Sequence, residues 1–348
     1  MNVSAETALL NCATLPTEVT WHRRLLHFKI PARTSRGDLT ERVTNIIEVK
    51  YGDACGLGEC CTMPGLLPMP DDAQMDYYCR QLQRFGRFCE SSDTDIPSPI
   101  RFAAETAMLS ALRGGRPRWD TPFTRGEKGI KIHHLIWMSD IDSMLKSMAT
   151  GIENGFCCLK MKVGALPFEQ ELQMLKLAKK AFPHAEIRVD ANGAFTPDEA
   201  LRKLHALAEA GVDSIEQPIA PGQWKQMAQI CRQSPIPIAL DEELIAHSHQ
   251  AEARERMLSS ICPAAIVIKP SLHGGLVAAE HWNRLAASMN IDCWVNSALE
   301  SSIGLTALAE WCSYNAPDKM HGLGTGRLFK DDTPEHIALK GDALYYIP

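Results

Sequence analysis

The chain has 348 residues, 45% of them hydrophobic and 22% charged, with a formal net charge of −6. That length excludes a single small module and supplies enough apolar material for a large core without staples. The acidic balance excludes a basic footprint for nucleic acid or an anionic membrane, and no apolar run approaches the roughly 18 residues of a membrane span.

The first basic side chain is Arg23, so no secretory leader is expected. The twelve cysteines are scattered without a regular frame and read as reduced thiols of a cytoplasmic protein. In chain order, His22–Ile30 and Val43–Val49 alternate as strands, separated by the polar segment Pro31–Arg42. Gly52, Gly56 and Gly58 punctuate a third short strand ending near Glu59. Helical patterns follow over Asp71–Glu90 and Ser98–Arg113, the second with an apolar stripe of Phe102, Ala103, Thr106, Ala107 and Leu109. Residues 114–128, rich in Gly, Pro and charge, predict a linker.

Beyond it, short apolar runs recur around His133, Lys160, Arg188, Ile215, Ala239, Val267, Val295 and Gly322, in steps of 24 to 28 residues. A strand, a crossover helix and two loops need about that much chain. Eight such units predict an α/β fold, a (β/α)8-type, TIM-like modified barrel, behind an N-terminal α+β domain. An open doubly wound sheet is the runner-up, but its glycine-rich phosphate fingerprint is missing.

Catalytic groups of such barrels sit at the C-terminal ends of the strands. Strands two to six there read LKMKVG, RVDANG, SIEQPI, ALDEEL and VIKPSL. Each places an ionisable residue in an apolar run: Lys160 and Lys162, Asp190, Glu216, Asp241 with Glu242, and Lys269. Period two puts Lys160 and Lys162 on one face, and likewise Asp190 and Asn192. One strand-end charge can simply reach solvent; five consecutive strands with charges at equivalent ends predict a site, because buried charges are costly unless paired or bound to metal. Three carboxylates without His or Cys suit a hard divalent cation, magnesium first and manganese as its substitute. Nearby positive charge and burial would lower the pKa of Lys162 enough for it to act as a base on a proton beside a carboxylate.

The ordered set KMK (160–162), DAN (190–192), EQP (216–218), DE (241–242) and KP (269–270) resembles the enolase superfamily, muconate-lactonising subgroup, and within it the o-succinylbenzoate synthases of menaquinone biosynthesis. Sites of that superfamily are a known case of a lysine base beside magnesium. The resemblance covers nearly the whole chain. It implies a capping domain over residues 1–125, with GLGE (56–59) at its turn and completed by the tail at about 325–348, and a barrel over 126–324. Carried over by position, Asp190, Glu216 and Asp241 would be metal ligands. Lys162 would be the base and later the acid, Lys269 the opposite lysine and Lys160 a supporting charge, with Asn192 and Glu242 behind them.

The implied reaction is dehydration of 2-succinyl-6-hydroxy-2,4-cyclohexadiene-1-carboxylate to 2-succinylbenzoate through an enediolate, a hydro-lyase activity. Cycloisomerases and N-acylamino-acid racemases share the lysine pair and stay open as alternatives. The acidic pair of dipeptide epimerases is missing from GLGTGRLF (322–329). Ser297, Gly324 and Thr325 could hold a neutral ring or a succinyl carboxylate, and Arg36 in the capping segment RTSRG (33–37) could contact an anion. A non-catalytic ligand-binding barrel is the reading from another class; intact lysines on both faces argue against it. The partner implied is a small-molecule carboxylate, with neither nucleic acid nor membrane, and the sequence carries no signal for oligomeric state.

Other clusters read as structural. Cys55, Cys60 and Cys61 lack the second pair that a zinc site needs, and Cys157 and Cys158 read as buried small packing. Of the adjacent His133 and His134, one must face outward. His273 is expected to shape a turn.

Overall fold

The computed structural model describes residues 2–34, 37–88, 96–137, 139–247, 250–324, 328–332 and 336–347. After a short helix α1 (Ala5–Leu10), capped by Ser4, the strands β1 (Glu18–Thr34), β2 (Gly37–Tyr51) and β3 (Ala54–Cys60) form an antiparallel sheet in the order β1-β2-β3. The first two strands are far longer than the apolar alternation implied. The polar stretch expected to separate them continues both strands, with a register shift between His27 and Ala32. A mostly exposed two-stranded extension needs no apolar face, so its sequence carries little strand signal.

Helix α2 (Asp72–Phe85) opens on a capping box between Asp71 and Gln74 and closes on Gly86 in the left-handed region, φ 66°. It and α3 (Ser98–Leu112) cover the sheet, where Ile47, Val49 and Cys60 meet Met75, Leu82, Ala103 and Ala107. Gly58 lets β3 lie against α3: a Cβ there would stand 1.8 Å from the carbonyl oxygen of Ala103. Gly58→Ala is therefore expected to cost at least about 2 kcal/mol of stability. An unchanged thermal midpoint would show that β3 and α3 can separate freely.

Residues 114–128 contain neither helix nor strand, but they are not a solvated linker. Trp119 and Phe123 are buried in the main core, Thr121 and Thr124 bond to each other, and the Thr121 hydroxyl bonds that of Ser313. Their Gly, Pro and charge content reflects tight turns around those aromatic anchors.

After β4 (Ile130–Lys131), parallel strands alternate with helices: β5 (His134–Ile136), α4 (Ile141–Glu153), β6 (Cys158–Lys162), α5 (Phe168–Ala181), β7 (Glu186–Asp190), α6 (Pro197–Glu209) and β8 (Ser214–Glu216). The series continues with α7 (Trp224–Gln233), β9 (Ile238–Leu240), a 3-10 turn (Glu242–His247), α8 (Ala251–Ile261), β10 (Ala265–Ile268), α9 (Gly275–Ser288), β11 (Asp292–Val295) and α10 (Ser302–Asn315). The seven strands β5 to β11 pair in chain order. The segment 321–322 bridges both edges, His321 to Ile132 and Gly322 to Asn296, both in parallel, and so occupies an eighth position. This is a TIM-like barrel whose core is lined by strand residues such as Leu159, Val189, Ile215 and Ile266 packed against the helices.

Buried carboxylates of the capping region hold helix N-termini of the barrel. Glu59 accepts from the backbone N–H groups of Ser301 and Gly304, and Glu105 from those of Leu276 and Val277. Free N–H groups at a helix start favour such an anion, and the Glu59 link fixes the cap beside the loop that follows β11. Residues 328–330 return to the capping sheet, Phe329 bridging Phe28. The closing hairpin β12 (Ile337–Lys340) and β13 (Ala343–Tyr346) instead joins β4. Among the described residues no helix is long and apolar enough to cross a membrane.

Candidate active site

The parallel register aligns the charged strand ends. Lys162 pairs with Asp190, and Asp190 with Glu216, as neighbours on β6, β7 and β8. Asp241 follows β9 directly and Lys269 follows β10. Side chains two apart on a strand share a face, so these groups converge on the barrel axis. One oxygen each of Asp190, Glu216 and Asp241 lies within 4.8 Å of the others, and all three residues are buried. Among the described residues this is the one group of His, Cys, Asp or Glu side chains placed to hold a metal ion; Cys55, Cys60 and Cys61 form no such group.

The lysines divide their work. Lys160 Nζ bonds Glu216 Oε2 at 2.5 Å and stands 3.2 Å from Asp190 Oδ2, while Lys269 Nζ bonds Asp241 Oδ2 at 2.5 Å. Burial works against the charge on each, but the facing carboxylates outweigh it and hold both pKa values up. Lys162 differs, because its Nζ donates to Asn192 Oδ1 and, among the described residues, touches no carboxylate. Burial pushes its pKa down and the charges of Lys160 and Lys269 push the same way, against Asp190 and Glu242. Asn192, held in the left-handed region at φ 45°, passes the contact on by donating from Nδ2 to Glu242 Oε1 at 2.9 Å.

Positive charge is short at this cluster. Glu216 is pushed up to about 7 by burial, with Asp190 and Asp241 adding and Lys160 opposing. Its Oε1 is buried with no hydrogen-bond partner among the described residues. An oxygen-only donor set with excess negative charge and an orphaned carboxylate oxygen fits a hard divalent cation.

The cleft above is lined by the polar Lys160, Lys162, Asp190, Asn192, Glu242 and Lys269 and by the apolar Met63, Leu66, Trp137 and Leu299. Ser297 and Gly324 also line it, although the Ser297 hydroxyl is engaged by Glu300 Oε2 at 2.5 Å. Arg36 and Thr325 lie outside the described residues. His133 lines the cleft, whereas His134 turns away to Ser147. His273 does shape a turn, accepting the backbone N–H of Lys269 on Nδ1. Cys158 is buried but Cys157 is exposed, so the packing role expected for both holds for one; strand alternation turns the other out.

Two neutral amides escaped the sequence reading. Gln217 Oε1 accepts from the backbone N–H groups of Asp241 and Glu243 and so positions the third carboxylate. Asn296 lines the cleft at the end of β11. Only position gave a hint of either: Gln217 follows Glu216 and Asn296 follows an apolar strand end.

A family model described as enolase C-terminal domain-like matches residues 143–335. The chain is 39% identical to the o-succinylbenzoate synthase of Desulfotalea psychrophila, over 94% of this chain and 98% of that one. Its structure is similar to the crystal structure of MenC from Desulfotalea psychrophila LSv54, with TM-score 0.82 and 34% identity over 95% of this chain and all of that one. It is also similar in fold to the substrate-liganded L-Ala-D/L-Glu epimerase of Bacillus subtilis, with TM-score 0.81 and 18% identity over 96% and 97% of the two chains.

Proposed function

The chain belongs to the enolase C-terminal domain-like family, and from that premise we propose that it is an enzyme with o-succinylbenzoate synthase activity, a hydro-lyase of menaquinone biosynthesis. Its substrate is a small carboxylate, 2-succinyl-6-hydroxy-2,4-cyclohexadiene-1-carboxylate, and its product 2-succinylbenzoate. The observation that carries the reading is the different treatment of two lysines across one cleft: Lys162 held by an amide with its pKa lowered, Lys269 held by a carboxylate with its pKa raised. The likeness to the Desulfotalea synthase over nearly the full length of both chains supports the choice of substrate.

In this reading Asp190, Glu216 and Asp241 hold a divalent cation, magnesium in our proposal, which supplies positive charge that acidifies the carbon beside the substrate carboxylate. Lys162, uncharged, takes the proton from that carbon, and Asn192 aims its Nζ. Lys269 stays an ammonium and offsets the negative charge of the enediolate from the other face. The protonated Lys162 then gives its proton to the departing ring hydroxyl, which leaves as water, and the ring becomes aromatic. Lys160 keeps the carboxylate cluster from repelling itself and lowers the pKa of Lys162.

We further propose that residues 1–125, joined by residues 328–330 of the tail, act as a cap on the barrel of residues 126–324, a modified (β/α)8 type, and that the protein works in the cytoplasm.

Because the base must be neutral, kcat/KM should rise with pH through the Lys162 pKa and level off above it, with the limb below the ordinary lysine value of 10.5. A limb at or above that value, in the full enzyme with magnesium, would remove Lys162 from the role of base.

A further inference from the structure

Glu243 is buried in the 3-10 turn after β9, beside Asp241 and Glu242, and has no task in the reaction above. It neither lines the cleft nor belongs to the three carboxylates placed for a cation. Its Oε1 accepts from the backbone N–H of Gly222 and from the indole Nε1–H of Trp224, both at 2.8 Å, which ties the turn to the loop after β8 and to the start of α7. Its Oε2 accepts from Gln217 Nε2 at 3.4 Å.

Gln217 is fully buried, with its backbone in the left-handed region at φ 37°. Its Nε2 also donates to the carbonyl of Ile219 at 3.0 Å, while its Oε1 receives the N–H groups of Asp241 at 3.1 Å and Glu243 at 3.3 Å. Turned over, the amide would set its NH2 against two N–H donors and its oxygen against a carboxylate and a carbonyl. Such mismatches are costly in a buried site, and Glu243 is one of the two acceptors that fix the observed orientation. An ionised carboxylate only accepts, so it matches all three donors around it. Glutamine at this position could match the Gly222 and Trp224 donors with its oxygen, but its NH2 would then face Gln217 Nε2. Relief of that conflict turns the Gln217 amide over and takes its oxygen away from the Asp241 N–H.

We propose that Glu243 is a positioning residue of the metal site: by fixing the Gln217 amide it holds the backbone of Asp241, and so aims the third carboxylate at the cation. This inference rests on the reading that Asp190, Glu216 and Asp241 bind magnesium.

The test is calorimetric titration of magnesium into the full-length protein and its variants, with the thermal midpoint of each metal-free sample recorded as a check on folding. Glu243→Gln should weaken magnesium binding about tenfold, as loss of a partner that orients a metal ligand implies. Gln217→Ala should weaken it by a similar factor. Adding Glu243→Gln to Gln217→Ala should then change the affinity by less than about twofold, because residues that act through one another are not additive. Trp224→Phe removes the indole donor, leaves the Gln217 arm in place, and should bind magnesium within about twofold of the wild type. Wild-type affinity in Glu243→Gln overturns the proposal. So does a Glu243→Gln effect that persists undiminished in the Gln217→Ala background, or an equal loss in Trp224→Phe. A Glu243→Gln protein that does not fold overturns it too, since the residue would then serve the fold and not the metal site. Folded wild-type protein that binds no magnesium removes the metal reading and this inference together, whereas wild-type binding that Glu243→Gln leaves unchanged removes the inference alone.

Discussion

Lys162→Ala is expected to lower kcat by at least about 10³-fold, near the upper range for loss of one acid–base group, because the same nitrogen serves twice. In the proposed mechanism it removes the carbon-bound proton and then returns it to the leaving hydroxyl, and no second neutral amine faces the cleft among the described residues. Lys160 and Lys269 are each tied to carboxylates with raised pKa values and cannot substitute near neutral pH. Lys162→Arg should be as inactive, since guanidinium stays protonated. Among the described residues the side chain bonds only Asn192 as acceptor, so the thermal midpoint and magnesium affinity of the alanine variant should stay near the wild-type values. Turnover within about tenfold of wild type, in a folded variant that binds magnesium, would assign the base elsewhere.

Asp241→Asn carries the second large effect. Asp241 is one of three carboxylates within reach of a single cation, and its Oδ2 is the partner of Lys269. The substitution removes a negative ligand and leaves a buried ammonium without its counter-charge. Magnesium affinity, read by calorimetry, should fall by at least about a hundredfold, the upper range already seen for partners of ligands, and turnover should fall with it. Unchanged metal affinity would move the third ligand away from Asp241, with Glu242 the first replacement.

Much of this site was legible because charge inside an apolar strand is conspicuous. Lys160, Lys162, Asp190, Glu216, Asp241 and Lys269 each interrupt a hydrophobic run at the same end of successive strands, and the observed register brings them together. Neutral residues left no such mark. Gln217 orients Asp241 through its backbone and Asn296 lines the cleft, but an amide after a strand looks like any turn residue. The capping region was harder for two physical reasons. The outer parts of β1 and β2 are largely solvent-facing, so period-two alternation faded where hydrogen bonding continued. Trp119 and Phe123 are buried in a stretch whose glycines, prolines and charges look like a linker: composition reports the turns, and only packing reveals the anchors.

The most direct test of the account is an absorbance assay on the wild-type protein with 2-succinyl-6-hydroxy-2,4-cyclohexadiene-1-carboxylate and magnesium, run with and without a chelator. Aromatic 2-succinylbenzoate should form, stop forming when the metal is removed and resume when it is restored. Folded, magnesium-bound protein that leaves the substrate unchanged would contradict the synthase reading.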